Sequence, residues 1–388
     1  MCKVFCGIDI SKDSFHAALI DDRGQSLWSR AFSLSLPGFQ ALLDLLPTSP
    51  LLIGMESTGI YGLNLLSFLR KQGFDIRLLN PLLIANFAKH SLRQTKTDKR
   101  DAFTIAQFLR HNAETLPPSP DTDESLRALA REREALSRQI TAAKNEIKRL
   151  LHILFPEILS LINPFTVSAL TLLETFPSKD ALGQASPSAL RKAWAVSGRG
   201  RKPSLALSRL IDAARTSVGV SSQAYESILR SKIRVLQLLE EELKAITQQL
   251  VQECQARSPQ AMTLLNSING LGEVTTAHFL AEIQARDFAT PKKLIAFAGL
   301  DPIIRESGQW KGRGRISKRG SKSLRRVLFL MSVSVIRNNP IFRDVYDRKR
   351  SEGKVYRQAV LAVSHKLLRV IYALLQHQVP FNPAYQSL

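Results

Sequence analysis

Four acidic residues in the first third of the chain have the types and positions of a metal-dependent catalytic centre. Asp9 and Glu56 each end an apolar run that predicts a strand, and Asp98 and Asp101 lie at the start of a predicted helix. A carboxylate at a strand end is costly unless it binds something, and a spacing of three places both helical carboxylates on one face. Together they would hold two Mg²⁺ or Mn²⁺ ions, which clamp the oxygens of a phosphodiester displacement. Taken singly, Asp98 also fits a helix cap and Asp101 a surface charge.

A serine in a glycine- and arginine-rich segment is the second group with possible chemistry. Ser307 precedes a glycine that leaves its hydroxyl accessible, and a serine attacks phosphorus where cations or a metal stabilise the oxyanion. No His or Asp forms a triad-like pattern around it, so a turn residue in a nucleic-acid-binding loop is the other interpretation. Interleaved glycines and cations bring a backbone close to phosphates. The residues predicted to contact nucleic acid here are Arg305, Trp310, Lys311, Arg313, Arg315, Lys318, Arg319, Lys322, Arg325 and Arg326.

A glycine pair lies upstream, between two helical stretches. Gly270 and Gly272 flank Leu271, and this spacing is found in tight turns of helix-hairpin-helix elements that bind a phosphate through backbone amides. Both glycines are therefore candidate nucleic-acid contacts. A plain turn between two helices explains the same residues.

The charge balance points to a polyanionic partner. The 388 residues carry 54 Lys and Arg against 33 Asp and Glu, a net charge of +21. Residues 1–90 are nearly neutral, whereas residues 291–350 hold 16 basic against 4 acidic side chains. Three unevenly spaced cysteines exclude a disulfide framework and fit a reducing compartment. The most apolar stretch contains a histidine, a glutamate and two prolines, so we expect no membrane span and a cytoplasmic, nucleoid-associated protein.

The elements that must position these groups fall into three regions. Residues 1–115 read as three strands in a meander followed by alternating helices and strands, an α/β domain with a mixed sheet. Residues 120–258 carry two long apolar stripes with 3-and-4 spacing, which predict two coiled-coil helices packed on each other or on another copy of the chain, with a helical insert at 161–225. Residues 259–388 are predicted to be mostly helical.

The motifs that carry the acidic residues and the serine resemble one family. The blocks Gly7–Lys12, Glu56–Gly59 and Lys96–Ala102 are similar to those of DEDD-type transposases of insertion-sequence family 110, which includes the Piv-type DNA invertases. A second motif set resembles the C-terminal transposase domain of the same family, in which the serine of a Glu-Ser-Gly step is the nucleophile. Its pattern is Ala-Phe-Ala-Gly-Leu-x-Pro, Glu-Ser-Gly and Ser-Lys-x-Gly-x-x-x-Leu-Arg-Arg.

The resemblance implies a specific mechanism for the chain. It implies a RuvC-like, ribonuclease-H-like N-terminal domain, Asp9, Glu56, Asp98 and Asp101 as metal ligands, and Ser307 as the covalent nucleophile. It further implies DNA as substrate, a structured guide RNA, and a homo-oligomer, a dimer or tetramer, formed through the coiled coil. Two alternatives stay open: a junction-resolving nuclease that uses only the carboxylates and water, and a nucleic-acid-binding protein with structural acidic residues.

Overall fold

The computed structural model divides the chain into two compact units, Met1–Asp121 and Thr122–Leu388. The residues that it describes are 3–47, 50–56, 61–89, 98–116, 124–194, 207–284, 286, 288–303, 306–307, 310–311 and 315–383.

The first unit is built on a five-stranded mixed sheet. Its strands are β1 (Val4–Ile10), β2 (Ser14–Ile20), β3 (Ser26–Ser33), β4 (Leu51–Glu56) and β5 (Asp75–Leu79). They are arranged in the order β3-β2-β1-β4-β5. The first three form an antiparallel meander, and β4 and β5 extend it in parallel pairing from β1. The predicted α/β fold with a mixed sheet is confirmed.

Helices cover both faces of this sheet. They are α1 (Leu36–Leu43), α2 (Leu63–Lys71), α3 (Pro81–Ala88) and α4 (Asp98–Asn112). On one face, Ile8 and Met55 pack with side chains of α1 and α2. On the other face, Phe5 packs with Ile105 and Leu109 of α4. Because a strand turns successive side chains to opposite faces, the nearly continuous apolar runs of β1 and β4 supply both cores.

Two long helices form the framework of the second unit. They are α5 (Glu124–Leu154) and α11 (Gln223–Arg257). They run antiparallel, since Arg133 donates to Thr247 at 3.1 Å while Lys144 pairs with Glu240 at 2.7 Å. Arg133, which interrupts the apolar stripe of α5, therefore has a polar partner on the facing helix. The pairing within one chain buries part of both apolar stripes, while coiled-coil geometry stays a prediction.

Five short helices lie between the two long ones in sequence. They are α6 (Ile158–Leu161), α7 (Val167–Thr175), α8 (Lys179–Gly183), α9 (Pro187–Trp194) and α10 (Leu207–Arg215). Their apolar residues share one core with the C-terminal part of α5 and the N-terminal part of α11. The basic segment 197–202 lies outside the described residues.

The rest of the second unit is mostly helical, as predicted. Its helices are α12 (Pro259–Asn266), α13 (Glu273–Ile283), α14 (Pro291–Phe297), α15 (Lys322–Asn338), α16 (Pro340–Ser351) and α17 (Tyr356–His377). Four two-residue strands precede α15: β6 (Pro302–Ile303), β7 (Glu306–Ser307), β8 (Trp310–Lys311) and β9 (Arg315–Ile316). The core of these helices extends onto Ala130 of α5 and Leu250 of α11. The predicted boundary at 258/259 stays a prediction.

Helix α17 is long and apolar enough to cross a membrane by length and composition, and no other helix of the described part of the chain is. Half of its most apolar window is buried inside the unit. Val363, Leu367 and Ile371 are fully buried in the core with α12, α14, α15 and α16. Packing within the core therefore accounts for its composition.

Candidate active site

Asp9 and Glu56 lie at the carboxyl ends of neighbouring parallel strands. Glu56 is the last residue of β4, whereas β1 continues one residue past Asp9, to Ile10. Ile8 pairs in register with Met55, so the residues that follow them in the chain lie side by side. Ile8 and Met55 face the core beneath α1 and α2, and alternation turns Asp9 and Glu56 to the opposite face. That is the face on which α4 packs. Both acidic residues are partly buried there.

Helix α4 lies directly on this face because two glycines leave room for it. A Cβ atom on Gly7 would be 2.1 Å from the carbonyl oxygen of Ala102, and one on Gly54 would be 2.5 Å from Leu109. Real Cβ atoms are not found at such distances, so any side chain at Gly7 would push the helix backbone away from β1. Glycine at position 7 is thus required by the packing of α4, whereas a side chain at position 54 would require the Leu109 side chain to shift.

The direction of α4 brings its first turn to the carboxylate edge. Near its C-terminus, Gln107 donates to the Gly24 carbonyl at 2.8 Å and Arg110 donates to the Asp22 carbonyl at 3.2 Å. Gly24 and Asp22 lie in the turn that follows β2. Because the last residue of β2 pairs with Phe5, this turn lies next to the start of β1. The helix therefore runs antiparallel to β1, and its N-terminal turn, with Asp101, lies toward the end of the strand.

The four predicted metal ligands are not all described. The side chain of Asp98 lies outside the described residues, although its backbone begins α4. Among the side chains that are described, no three His, Cys, Asp or Glu residues form a group that could hold a metal, so Asp9, Glu56 and Asp101 do not do so alone. Their carboxylate oxygens are nevertheless the ligand type that Mg²⁺ prefers. The four-residue metal site stays a prediction.

Ser307 lies near the tip of a short β-hairpin arm, defined here as the serine arm, residues 302–316. At its base β6 pairs with β9 through Ile303 and Arg315, and farther out β7 pairs with β8. The outermost pair is Ser307 with Trp310. Only residues 308 and 309 connect them, and these lie outside the described residues. The side chains of Ser307, Trp310 and Lys311 are likewise outside them, as are Arg305 and Arg313.

The predicted basic contacts divide into two groups in the structure. Arg315, Lys318, Arg319 and Lys322 have exposed side chains. Arg326 is exposed but pairs with Glu134 of α5 at 3.1 Å. Arg325 is half-buried and donates to two backbone carbonyls within its own unit, and burial lowers the pKa of its guanidinium. The first group is the more accessible to phosphates.

The glycine turn also serves the packing of the chain. Gly270 has a φ of 99°, a conformation that favours glycine, and a Cβ atom there would be 2.9 Å from the Cα atom of Val335 on α15. Gly272 has open space around it and precedes α13. The structure thus explains Gly270 by its contact with α15, while phosphate binding at the turn stays a prediction.

A buried polar cluster, which the sequence did not predict, contacts the start of α15. His278 of α13 contacts the Ser323 hydroxyl at 2.8 Å through Nε2, and burial lowers the pKa of this histidine. Glu282, one turn later, accepts from the Ser321 hydroxyl at 2.7 Å. A histidine and a glutamate four residues apart in the otherwise apolar second half of α13 were the available signal. The cluster ties α13 to the helix that follows the serine arm.

Comparisons with known proteins place both regions in one family. A family model described as a DEDD-type transposase of the IS110 group matches residues 6–156, and a second, described as a transposase of the IS116/IS110/IS902 family, matches residues 262–347. Together they cover more than half of the chain, in the order that the motifs predict. The first match contains Asp9, Glu56, Asp98 and Asp101, and the second contains Ser307.

Full-length relatives agree with these matches. A 43.6 kDa insertion element IS110 protein of Streptomyces coelicolor is 27% identical over 96% of this chain and 94% of its own length. The pilin gene-inverting protein of Moraxella bovis is 25% identical over 98% of both chains. A putative mini-circle transposase for IS117 from Streptomyces coelicolor is 27% identical over 98% of this chain and 95% of its own length. The chain therefore belongs to the IS110 family of transposases and DNA invertases.

Proposed function

We propose that this protein cuts and rejoins DNA strands at a composite site, with Ser307 as nucleophile and Asp9, Glu56, Asp98 and Asp101 as ligands of divalent metal. The observation that carries the proposal is the pair of family matches, one on the region of the carboxylates and one on the region of the serine arm. The two regions are about 200 residues apart in sequence. The site therefore needs residues from both units, from one chain or from two.

The arrangement of the first unit supports the carboxylate half of the proposal. Asp9 and Glu56 lie at the carboxyl ends of neighbouring parallel strands, and α4 begins at the same end of the sheet. This layout is compatible with a RuvC-like domain, which we propose for residues 1–115. When bound, Mg²⁺ or Mn²⁺ would supply Lewis-acid stabilisation of the phosphodiester oxygens. The carboxylates would hold such ions at this end of the sheet.

The serine arm supports the second part of the proposal, which is a covalent bond between Ser307 and DNA. The Ser307 oxygen would attack the phosphorus of the scissile phosphodiester, and the bond from phosphorus to the leaving deoxyribose oxygen would break. The hydroxyl proton passes to that leaving oxygen. Attack by a free strand hydroxyl on the phosphoserine then rejoins DNA and restores the serine. The exposed cations Arg315, Lys318 and Arg319 flank the arm on its C-terminal side and favour contact with phosphates.

Charge supports DNA as one partner and a structured guide RNA as a second. Residues 291–350 hold 16 basic and 4 acidic side chains, and this positive charge can bind either DNA or RNA. We further propose a homo-oligomer formed through α5 and α11, and a cytoplasmic protein associated with the nucleoid. DNA immunoprecipitated with the protein, and RNA that co-purifies with it, would identify both partners.

The decisive experiment is an adduct assay with paired variants. We expect wild-type protein incubated with element-end DNA and Mg²⁺ to yield a protein–DNA adduct that survives denaturation and maps by mass spectrometry to Ser307. Ser307→Ala should abolish both the adduct and strand cleavage, and Asp9→Asn with Glu56→Gln should abolish both while leaving DNA binding unchanged. Cleavage by Ser307→Ala would instead identify a junction-resolving nuclease. Recombination by the carboxylate double variant would mean that the acidic residues are structural.

A further inference from the structure

The two motifs on either side of the serine arm meet at its base. Gly299 lies in the first motif and Gly320 in the second, and a Cβ atom on Gly320 would be 1.9 Å from the Phe297 carbonyl oxygen. A Cβ atom on Gly299 would be 2.5 Å from the Gly320 nitrogen, and Gly299 has a φ of 67°. The two backbones are therefore in direct contact, and a side chain at either glycine would separate them.

Backbone hydrogen bonds close this contact. The Ser317 amide donates to the Asp301 carbonyl at 2.9 Å, and the Lys318 amide donates to the Gly299 carbonyl at 3.0 Å. The Ser317 hydroxyl also donates to the Asp301 carboxylate. These bonds continue the pairing of β6 with β9, so the two chain segments enter and leave the arm side by side.

Arg325 joins the two segments from the first turn of α15. Its Nη1 donates to the Gly320 carbonyl at 2.6 Å and to the Ala298 carbonyl at 3.3 Å. One guanidinium nitrogen thus binds the chain before the arm and the chain after it. On the far side, His365 of α17 contacts the Leu300 carbonyl at 3.0 Å. Both contacts are made within the second unit and engage groups at the base of the arm.

The described strands of the arm are short. Its ladders are two residues long on each strand, and isolated hairpins of this size are marginally stable in water. The direction of the tip must therefore be inherited from the base. Reacting groups need placement within a fraction of an ångström, and a displacement of about 1 Å can lower the rate about 100-fold.

We propose that Arg325 is a positioning residue that fixes the base of the serine arm, and with it the direction of Ser307, rather than a contact to phosphate. This proposal rests on Ser307 being the nucleophile. It replaces the role that the basic run of the sequence predicts for Arg325, and it explains why a charged residue sits half-buried between two glycines.

The test separates DNA affinity from the rate at saturation. In Arg325→Lys the positive charge is kept, but the lysine side chain is shorter, so its nitrogen falls short of the position of Nη1 between the two carbonyls. We expect the DNA Kd to change less than about 2-fold and the single-turnover rate of adduct formation at saturating DNA to fall about 10-fold or more. Lys322→Ala, an exposed cation one turn away, should weaken the Kd with little change in that rate. Arg337→Lys, at the exposed end of α15, should change neither.

A second measurement does not depend on the chemistry. Hydrogen exchange at the Ser317 and Lys318 amides should be faster in Arg325→Lys than in the wild type, with the melting temperature within a few degrees. A weaker Kd with an unchanged rate at saturation would overturn the proposal, as would unchanged exchange at both amides. If the wild type forms no adduct while amide exchange is still faster in Arg325→Lys, then Ser307 is not the nucleophile, and the role of Arg325 at the base of the arm stands.

Discussion

The two regions that carry the proposed chemistry are held in different ways. In the first unit, Asp9 and Glu56 lie within strands, near their carboxyl ends, in a continuous five-stranded sheet that is covered by helices on both faces. In the second unit, Ser307 lies on an arm whose ladders are two residues long. Strand register positions the carboxylates, whereas the serine depends on contacts at the base of its arm. We therefore expect a substitution at the base of the arm to impair the chemistry of Ser307 without unfolding the second unit.

Close backbone approach at glycine is common to both regions. Gly7 lets α4 lie on β1, and Gly320 lets the chain leaving the arm contact the chain entering it. The first contact fixes an element of the core, while the second fixes the base of the serine arm. Substitutions at these two glycines therefore test the comparison most directly.

The largest effect is expected for Gly7→Val. The new side chain would meet the Ala102 carbonyl and the Ala106 nitrogen within 2.4 Å, so α4 must move. We expect the free energy of unfolding of the first unit to fall by about 3 kcal/mol, with loss of strand cleavage. Chemical denaturation measures the free energy of unfolding, and a cleavage assay measures the loss of activity. The control is Gly62→Ala, where the nearest atom is the flexible end of Ile10 at 3.0 Å. Wild-type stability of Gly7→Val would contradict the packing of α4 on β1.

A smaller change in stability is expected for Gly320→Ala, with an equally severe loss of adduct formation. Its Cβ atom would meet the Phe297 carbonyl oxygen, and overpacking of this kind costs about 2 kcal/mol. Because the arm loses its base, adduct formation should fall about 100-fold or more at saturating DNA. Gly272→Ala, with nothing within 4 Å, controls for stability. An adduct rate near that of the wild type would mean that the arm is positioned without this contact.

Acid should weaken the second unit through its buried histidines. Burial lowers the pKa of His278 and of His365 below the ordinary value of 6.5, so the unfolded chain binds more protons than the folded one. The stability that these groups contribute is present above pH about 6.5 and is lost as the pH falls through their folded pKa values. The free energy of unfolding, measured by chemical denaturation between pH 8 and pH 5, should decrease as the pH falls, and His278→Gln should make this decrease smaller. If the decrease in that variant equals that of the wild type, His278 does not contribute to the pH dependence of stability.

The smallest effect is expected at the exposed pair between the long helices. Lys144 and Glu240 are 2.7 Å apart, with side chains 31% and 38% exposed. Such pairs contribute about 0.5 kcal/mol, so Glu240→Gln should lower the unfolding free energy by no more than that and leave cleavage and adduct formation unchanged. A double-mutant cycle with Lys144→Met measures the pair directly. A coupling several times larger would show that this pair organises the helices.

Part of the fold followed from the sequence because local patterns sufficed. The apolar runs of β1, β2 and β4 and the 3-and-4 spacing of α5 specify their elements through burial alone. Ile140, Ile147 and Leu150 are buried as that spacing requires. The roles of Arg325 and Gly270 did not follow from it, because their partners lie on segments that only the folded chain brings next to them. A basic run also gives no sign of which of its members turns inward.

By itself, the sequence determined the mixed sheet, the two long helices, the uneven charge and the two motif sets that identify the family. Only the tertiary structure decided that α4 runs antiparallel to β1, that Arg325 binds carbonyls at the base of the serine arm and that His278 and Glu282 are buried. Periodicity and residue type are local properties that a chain carries before it folds. Contacts between backbones, and the burial of single charged groups, depend on which distant segments meet, and packing alone sets that.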